Sequence, residues 1–215
     1  MHPSKPIARR ICAYTPPVPS IAILIFDGVE ELDFVGPWEV LSAWASQHPD
    51  DDVRVSTVRW GGSPRDPVAC AKRLRVLADR GQPELGEPDV IVVPGGKGTR
   101  GLLKDEPLAE ALREVHARGG YVTSVCTGSL VLAAAGLLDG KPATTHWSAL
   151  EHLAAAGEDI EVRADDRFVH SGRIITAAGV SAGIDMALHL VAQLASVERA
   201  REVRRYIQYD PAPPV

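Results

Sequence analysis

Tyr121-Val122-Thr123-Ser124-Val125-Cys126-Thr127-Gly128-Ser129-Leu130 is the stretch that decides the fold of this chain. Its first five residues have the character of a strand, and apolar positions at helical spacing begin at Leu130. A chain that turns from strand to helix within so few residues bends sharply, so the side chain at the bend projects from the backbone. The small residues Ser124 and Gly128 allow the two arms to approach. The sequence therefore predicts a nucleophile elbow with Cys126 at its tip.

Cys126 has two interpretations at this position. At an elbow, the unpaired N–H groups and the positive end of the following helix favour the thiolate, which predicts a lowered thiol pKa. Alternatively, a cysteine next to an apolar strand is an inert member of the core, which is the commoner fate of an intracellular cysteine. The strand-to-helix context favours the nucleophile.

Length and composition limit the class of protein. A chain of 215 residues, 45% of them hydrophobic, suits one domain with a sizeable core. The net charge of −5 offers no basic surface for a phosphate backbone, so nucleic-acid binding is not expected. Three scattered cysteines, Cys12, Cys70 and Cys126, form neither a disulfide framework nor a zinc site. They fit a reducing, cytoplasmic location.

The first 20 residues differ in composition from the rest of the chain. They are rich in proline and lack the apolar segment of a secretory signal. No run of about 18 apolar residues, the length that crosses a membrane, occurs in the sequence. We therefore expect residues 1–20 to be a disordered tail, residues 21–215 to be a single α/β domain, and the protein not to associate with membranes.

Strand-like and helix-like segments alternate along the domain. The apolar runs 21–26 and 89–93 are typical of strands buried on both faces of a parallel sheet, and 53–58 alternates like a strand nearer an edge. Pro37 suits the first turn of a helix. Apolar spacing predicts further helices through 108–115, 181–194 and 197–206. The alternation predicts an α/β fold with a doubly wound, mostly parallel sheet between two helical layers, a flavodoxin-like three-layer sandwich.

Ligands of such sheets bind outside the carboxyl ends of the strands. The segments expected there are 27–33, Pro94-Gly95-Gly96, Cys126-Thr127 and Ala177-Ala178-Gly179-Val180. The N–H groups of Gly95 and Gly96, with the N–H that follows the nucleophile, are candidates to stabilise charge on a substrate atom. Two adjacent glycines are equally typical of a plain tight turn. We count Gly95, Gly96 and Val180 as candidate substrate-binding residues.

Asp33 stands out among the acidic residues that follow the first strand. It lies between Leu32 and Phe34, an apolar setting for a carboxyl group, whereas Glu30 is expected on a solvated face. Near a thiolate, such a carboxyl is pushed toward its protonated form, because two like charges cannot share a poorly solvated site. A neutral acid there can donate a hydrogen bond to sulfur and a proton to substrate.

His146 is the histidine closest to the expected site. It follows a short strand-like segment at Ala143 and can face the same crevice, although a lone histidine more often has a structural role. The other histidines show no partner pattern and are expected on the surface.

Several segments resemble the ThiJ/PfpI superfamily, the class I glutamine amidotransferase-like proteins. They are residues 26–33 with 36–37, and residues 93–96, 124–128, 143–147 and 179–185. Within the superfamily, the run 121–147 and the ending 209–214 are most similar to the isonitrile hydratases. The resemblance implies that Cys126 is the nucleophile, that Thr127 acts beside it, and that Asp33 is the acid that contacts the sulfur. It also implies a homodimer that acts on a small molecule, with no metal or organic cofactor.

The activity that this resemblance implies is hydration of an organic isonitrile to an N-substituted formamide. The Cys126 thiolate adds to the terminal carbon, Asp33 protonates the adduct to a thioimidate, and water then releases the product. Two alternatives remain. His146 matches a histidine of glyoxalase and deglycase members, whereas Thr127 replaces the histidine that follows the nucleophile in protease-like members. The chain also resembles the amino-terminal domains of AraC-type regulators, and a cysteine redox sensor or ligand-binding domain is the non-enzymatic alternative.

Overall fold

A seven-stranded sheet forms the centre of the protein in this computed structural model. The structure describes residues 19–82 and 87–211. Residues 1–18 of the expected tail, which include Cys12, lie outside the described residues. Residues 212–214 of the 209–214 motif lie outside them too. The first strand begins at Ser20 and not at Ile21.

The strands and helices follow one another in the order expected of an α/β domain. The strands are β1 Ser20–Ile25, β2 Arg54–Arg59, β3 Val68–Ala69, β4 Arg75–Val76, β5 Arg80–Gly81, β6 Val90–Val93, β7 Tyr121–Val125, β8 Pro142–Ala143, β9 Glu161–Val162, β10 Phe168–Ser171 and β11 Ile174–Ala177. The α-helices are α1 Glu31–Gln47, α2 Thr99–Leu102, α3 Glu106–Ala117, α4 Gly128–Ala134, α5 Leu150–Ala154, α6 Ala182–Leu194 and α7 Val197–Tyr206. Short 3-10 turns occupy Pro49–Asp51 and Trp147–Ala149.

The sheet has the strand order β10-β11-β7-β6-β1-β2-β5. All neighbouring pairs are parallel except β10 with β11. The pairs β3–β4 and β8–β9 form two small separate sheets. Strands β6 and β7 are buried along their whole length, as expected for strands covered on both faces. The mostly parallel sheet of the sequence prediction is therefore confirmed.

Two groups of helices enclose the sheet. Helices α1, α6 and α7 pack on one another, and α4 packs on α2, α3 and α5. The four adjacent strands β11, β7, β6 and β1 end side by side, so the loops that follow them meet at one edge. None of the described helices is both long and apolar enough to cross a membrane.

Helix α1 begins earlier than a first turn at Pro37 would place it. Glu30 is the extended residue before the helix, and the first turn contains the acidic side chains Glu31 and Asp33, which favour a helix N-terminus. Pro37 therefore lies inside the helix, and the prediction that it occupies the first turn is wrong. This earlier start has a consequence for function, because it places Asp33 on a rigid helix rather than in a loop.

Candidate active site

The strand-to-helix bend at Cys126 has the backbone of a nucleophile elbow. Cys126 has a φ of +56°, in the left-handed region that non-glycine residues seldom adopt. Its N–H donates to the carbonyl oxygens of Ala178 at 2.7 Å and Ala177 at 3.1 Å. A Cβ on Gly128 would lie 2.1 Å from the carbonyl oxygen of Val93, so only glycine allows the close approach. The predicted elbow is present.

Hydroxyl groups hold the strained cysteine from its carbonyl side. The carbonyl oxygen of Cys126 accepts from Oγ1 of Thr145 at 2.8 Å and from Oγ of Ser129 at 3.1 Å. Both hydroxyls are buried. Sequence reasoning missed Thr145, which precedes the candidate His146. Its signal was available, since a threonine at the end of a short strand is well placed to bond a backbone carbonyl nearby.

Asp33 is fully buried beside the elbow. Its Oδ2 accepts a hydrogen bond of 2.9 Å from the N–H of Gly95, and its Oδ1 has no hydrogen-bond partner of ordinary geometry among the described residues. The loop after β1 pairs with the loop after β6, with Glu30 N–H donating to the Gly95 carbonyl at 2.9 Å. Strand order and this loop pairing thus bring Asp33 to Cys126.

Burial raises the pKa of Asp33 to about 7. The hydrogen bonds from the Gly95 N–H and from the Cys126 thiol act in the opposite direction but do not offset the loss of solvation. Near neutral pH this carboxyl group therefore exchanges a proton readily. An acid that can both give and take a proton at working pH suits general acid–base catalysis.

The pKa of the Cys126 thiol is raised to about 12, first by burial and then by the negative charge of Asp33. The N–H and the hydroxyl of Thr127 favour the thiolate but are the weaker influence. The predicted lowering of this pKa is therefore wrong for the resting site, because the seven-residue helix α4 does not outweigh burial and Asp33. The two groups can carry one negative charge together, so the thiolate forms when Asp33 holds the proton.

Thr127 connects the elbow to the glycine loop. Its Oγ1 accepts from the N–H of Gly96 at 3.0 Å and from Oγ1 of Thr99 at 3.3 Å. The N–H groups of Gly95 and Gly96 are therefore engaged with Asp33 and Thr127. This differs from the expectation that they point into the crevice, because they bond to the side chains of Asp33 and Thr127 instead. The N–H of Thr127 is the one directed at the sulfur.

Gly95 has no room for a side chain. A Cβ there would lie 2.6 Å from the Thr127 nitrogen and 2.8 Å from Oδ2 of Asp33. The glycine thus lets the β6 loop pass between the acid and the elbow, which explains its position better than a plain tight turn does.

His146 contacts Ser148 and Gly179, next to the turn that supports the elbow. Its Nδ1 lies 2.8 Å from Oγ of Ser148, and its Cδ2 edge packs against Gly179, where a Cβ would lie only 2.5 Å away. Among the described residues, no hydrogen bond joins His146 to Cys126. Trp147, which is 77% exposed, stacks obliquely on the His146 ring at a centroid distance of 5.3 Å.

Other histidines do have partners, contrary to the sequence interpretation. His170 Nδ1 lies 2.9 Å from Nε2 of His189, and His48 lies 3.4 Å from a carboxylate oxygen of Glu202. These contacts join helices to their neighbours and lie outside the site. Within residues 19–82 and 87–211, no group of three or more His, Cys, Asp or Glu side chains is arranged to hold a metal ion.

Val180 lies in the turn between β11 and α6. It has a φ of +46°, which is a strained conformation for a β-branched residue. The same turn provides the carbonyl groups that accept the Cys126 N–H. Val180 is therefore next to the elbow, as the strand-end argument predicts.

A cavity of about 220 Å³ has Thr127 in its wall. Leu103, Leu130 and Ala149 give it apolar walls, and Arg100 contributes a polar edge. Arg100 also donates to the carbonyl oxygen of Gly96 at 3.1 Å, which ties this wall to the glycine loop. The cavity has the size and character to hold a small organic substituent.

Comparison with known proteins agrees with this geometry. Residues 19–193 match the DJ-1/PfpI family. The chain belongs to that family. It is 41% identical to the isonitrile hydratase of Pseudomonas putida over 196 residues, which are 90% of this chain and 80% of that protein. The glutathione-independent glyoxalase DJR-1.2 of Caenorhabditis elegans is 29% identical over 148 residues, 68% of this chain and 77% of that protein.

A solved structure supports the same assignment. The crystal structure of a ThiJ/PfpI family protein from Pseudomonas syringae has a TM-score of 0.79 and 31% identity, and covers 100% of this chain and 85% of that chain. The flavodoxin-like architecture and the family resemblance that the sequence indicates are thus confirmed for this DJ-1/PfpI protein.

Proposed function

We propose that this DJ-1/PfpI protein hydrates organic isonitriles to N-substituted formamides, with Cys126 as nucleophile and Asp33 as acid–base catalyst. The observation that carries the proposal is the buried Asp33 carboxyl, with a pKa of about 7 and an unpartnered Oδ1, beside the elbow thiol. The similarity to an isonitrile hydratase over 90% of the chain supports the same substrate class.

The first step forms a carbon–sulfur bond. Asp33 takes the proton of the Cys126 thiol as sulfur adds to the terminal carbon of R–N≡C. The electron pair left on that carbon takes the proton back from Asp33, which gives the thioimidate R–N=CH–S–Cys126. The high thiol pKa is compatible with this step, because the acceptor is adjacent and its pKa lies near neutral pH.

The second step consumes water. The Asp33 carboxylate takes a proton from water as the hydroxyl group adds to the thioimidate carbon, and then gives that proton to the imine nitrogen. The carbon–sulfur bond of R–NH–CH(OH)–S–Cys126 then breaks, the electron pair returns to sulfur, the hydroxyl proton passes to the Asp33 carboxylate, and R–NH–CHO leaves. One isonitrile and one water give one formamide. The cavity beside Thr127 is the proposed place for the R group, since its walls are largely apolar.

A glyoxalase-type activity is the second candidate. It is favoured by the similarity to the Caenorhabditis elegans glyoxalase and by the position of His146 near the elbow. It ranks lower because His146 bonds to Ser148 and packs on Gly179, and among the described residues no hydrogen bond joins it to Cys126. The redox-sensor alternative is less favoured still, since oxidation needs thiolate and burial raises the Cys126 pKa to about 12.

We also propose a homodimer, with no nucleic-acid or membrane partner. A hollow of about 260 Å³ on the surface is lined by the apolar side chains Val35, Trp38 and Leu77. Leu77 is 64% exposed, which is unusual for a large apolar residue and is explained if a second copy covers it.

An assay with an alkyl isonitrile and with methylglyoxal tests the activity. We expect formamide from the isonitrile, with loss of formamide production in both Cys126→Ala and Asp33→Asn. Glu39→Gln, which removes an exposed carboxylate from the same helix as Asp33, is the control and retains activity. Turnover of methylglyoxal alone, lost in His146→Gln, would favour the glyoxalase.

A further inference from the structure

Three side chains form a linked group beside the carboxyl end of β11. The hydroxyl of Tyr209 donates to Oδ1 of Asp185 at 3.1 Å, and Nε of Arg167 donates to Oδ2 of the same carboxylate at 3.0 Å. The Arg167 guanidinium also reaches Oγ of Ser181 at 3.4 Å. We call Tyr209, Asp185 and Arg167 the carboxylate clamp. It joins the segment after α7, the first turn of α6 and the loop before β10.

The clamp touches the turn that supports the nucleophile. The carbonyl oxygen of Arg167 accepts from the N–H of Ala178 at 2.9 Å. The carbonyl oxygen of Ala178 accepts in turn from the N–H of Cys126 at 2.7 Å. Only a short series of hydrogen bonds therefore separates Tyr209 from the elbow.

The same turn is strained. Val180 has a φ of +46°. Arg167 bonds to Ala178, two residues before Val180, and to Ser181, directly after it. A β-branched residue keeps such a conformation only where surrounding contacts fix it. The clamp provides contacts on both sides of Val180, so its loss would allow the turn to relax away from Cys126.

The protonation of the clamp suits this role. Burial raises the pKa of Tyr209 above its ordinary value, and the charge of Asp185 raises it further, so the hydroxyl stays a donor. The Asp185 carboxylate accepts from Tyr209 on one oxygen and from Arg167 on the other. A carboxylate bonded at both oxygens has a fixed orientation.

We propose that Tyr209 is a positioning residue for Cys126, acting through Asp185 and Arg167 on the turn of residues 177–180. The inference rests on the proposed function in that it takes Cys126 as the reacting group. It assigns a role to the ending that contains Tyr209 and to the segment 179–185, which the hydratase mechanism does not use. A hydrogen bond joins the two segments directly.

Tyr209→Phe tests the clamp, because it removes one hydroxyl group and keeps the ring. Tyr206→Phe is the matched control, since Tyr206 is 54% exposed three residues earlier. Two quantities are measured on the full chain: formamide turnover with an alkyl isonitrile, and the pH midpoint of Cys126 alkylation by iodoacetamide, followed at that residue by mass spectrometry. A purely structural role would lower the melting temperature and leave the alkylation midpoint of the folded protein unchanged.

We expect the kcat of Tyr209→Phe to fall about fivefold, which corresponds to the net contribution of one hydrogen bond. The kcat of Tyr206→Phe should be unchanged. The alkylation midpoint should move down toward that of an ordinary thiol, because a relaxed turn exposes Cys126 and separates it from Asp33. Asp185→Asn should act in the same direction, and the double variant should show little beyond the larger single effect.

An alkylation midpoint of Tyr209→Phe equal to that of the wild-type protein would overturn the clamp proposal, whatever happens to the melting temperature. Additive effects in the double variant would overturn it too. If the wild-type protein makes no formamide, the hydratase proposal fails, but the alkylation midpoints still test the clamp. The two proposals therefore fail by different observations.

Discussion

The N–H of Gly95 donates a hydrogen bond of 2.9 Å to Oδ2 of Asp33, while Oδ1 of the same buried carboxyl group has no partner of ordinary geometry among the described residues. Because Oδ2 is the acceptor, the proton of the neutral acid belongs on Oδ1. A carboxyl group oriented in this way by a backbone amide can exchange that proton with sulfur or with substrate without rotating first. The glycine loop thus organises the acid, and the acid in turn controls the thiol.

Burial of Asp33 makes the stability of the fold depend on pH. Its pKa rises from 3.8 in the unfolded chain to about 7, so the folded state binds more protons between these values. Stability therefore falls as pH rises through this window, by about 4 kcal/mol for a shift of this size. Asp33→Asn lacks the effect. In urea unfolding at several pH values, the free energy of unfolding of Asp33→Asn should increase relative to that of the wild-type protein from pH 4 to pH 7. A difference between the two free energies that does not change with pH would contradict the assigned cost of burying the Asp33 carboxylate.

The charge of Asp33 also controls the thiol. Part of the rise in the Cys126 pKa to about 12 comes from this carboxylate, second only to burial. Asp33→Asn removes the charge, so the pKa of Cys126 should fall below that of the wild-type protein, although formamide production is lost. Thiolate absorbance near 240 nm, corrected with Cys126→Ser, measures this pKa. Glu39→Gln should leave it unchanged, and a Cys126 pKa in Asp33→Asn equal to or above that of the wild-type protein would contradict the assigned effect of the carboxylate.

The sequence predicted the elbow and its acid because both depend on local patterns. A strand that runs into Cys126 and a carboxyl between Leu32 and Phe34 are visible in the residues alone. The order of the strands then places them together, because parallel strands end at one edge of the sheet. The start of α1 was predicted wrongly, because Pro37 is a strong local indicator of a first helical turn. The helix begins instead at Glu31, with Asp33 in the same first turn.

Properties that depend on the environment of a group could not be predicted in this way. The helix after Cys126 suggested a lowered thiol pKa, but the balance between Thr127, burial and the charge of Asp33 is a feature of the packed site. The engagement of the Gly96 N–H by Thr127 likewise appears only once the β6 and β7 loops are adjacent. The contact between Tyr209 and Asp185 joins residues 24 positions apart and has no local pattern.

Gly95→Ala should disable the site without a change of charge. The added Cβ would lie 2.6 Å from the Thr127 nitrogen and 2.8 Å from Oδ2 of Asp33, so the acid, the elbow or the loop must move. We expect turnover to fall by about a hundredfold, as for a reacting group displaced by roughly 1 Å. Gly101→Ala is the matched control, because a Cβ there meets nothing within 4 Å. Turnover of both variants, measured at equal folded fraction by circular dichroism, separates catalysis from folding.

The exposed apolar hollow around Val35, Trp38 and Leu77 should be covered by a second copy of the chain. Light scattering after gel filtration is then expected to give twice the 23.0 kDa of one chain. Leu77→Glu places a charge in the interface and should shift the protein toward the monomer, because a buried unpaired carboxylate costs several kcal/mol. Val197→Glu, at an apolar residue that is 50% exposed on α7, is the control and should remain dimeric. A monomeric wild-type protein at micromolar concentration would contradict the dimer, and a dimer that survives Leu77→Glu would place the interface on another surface.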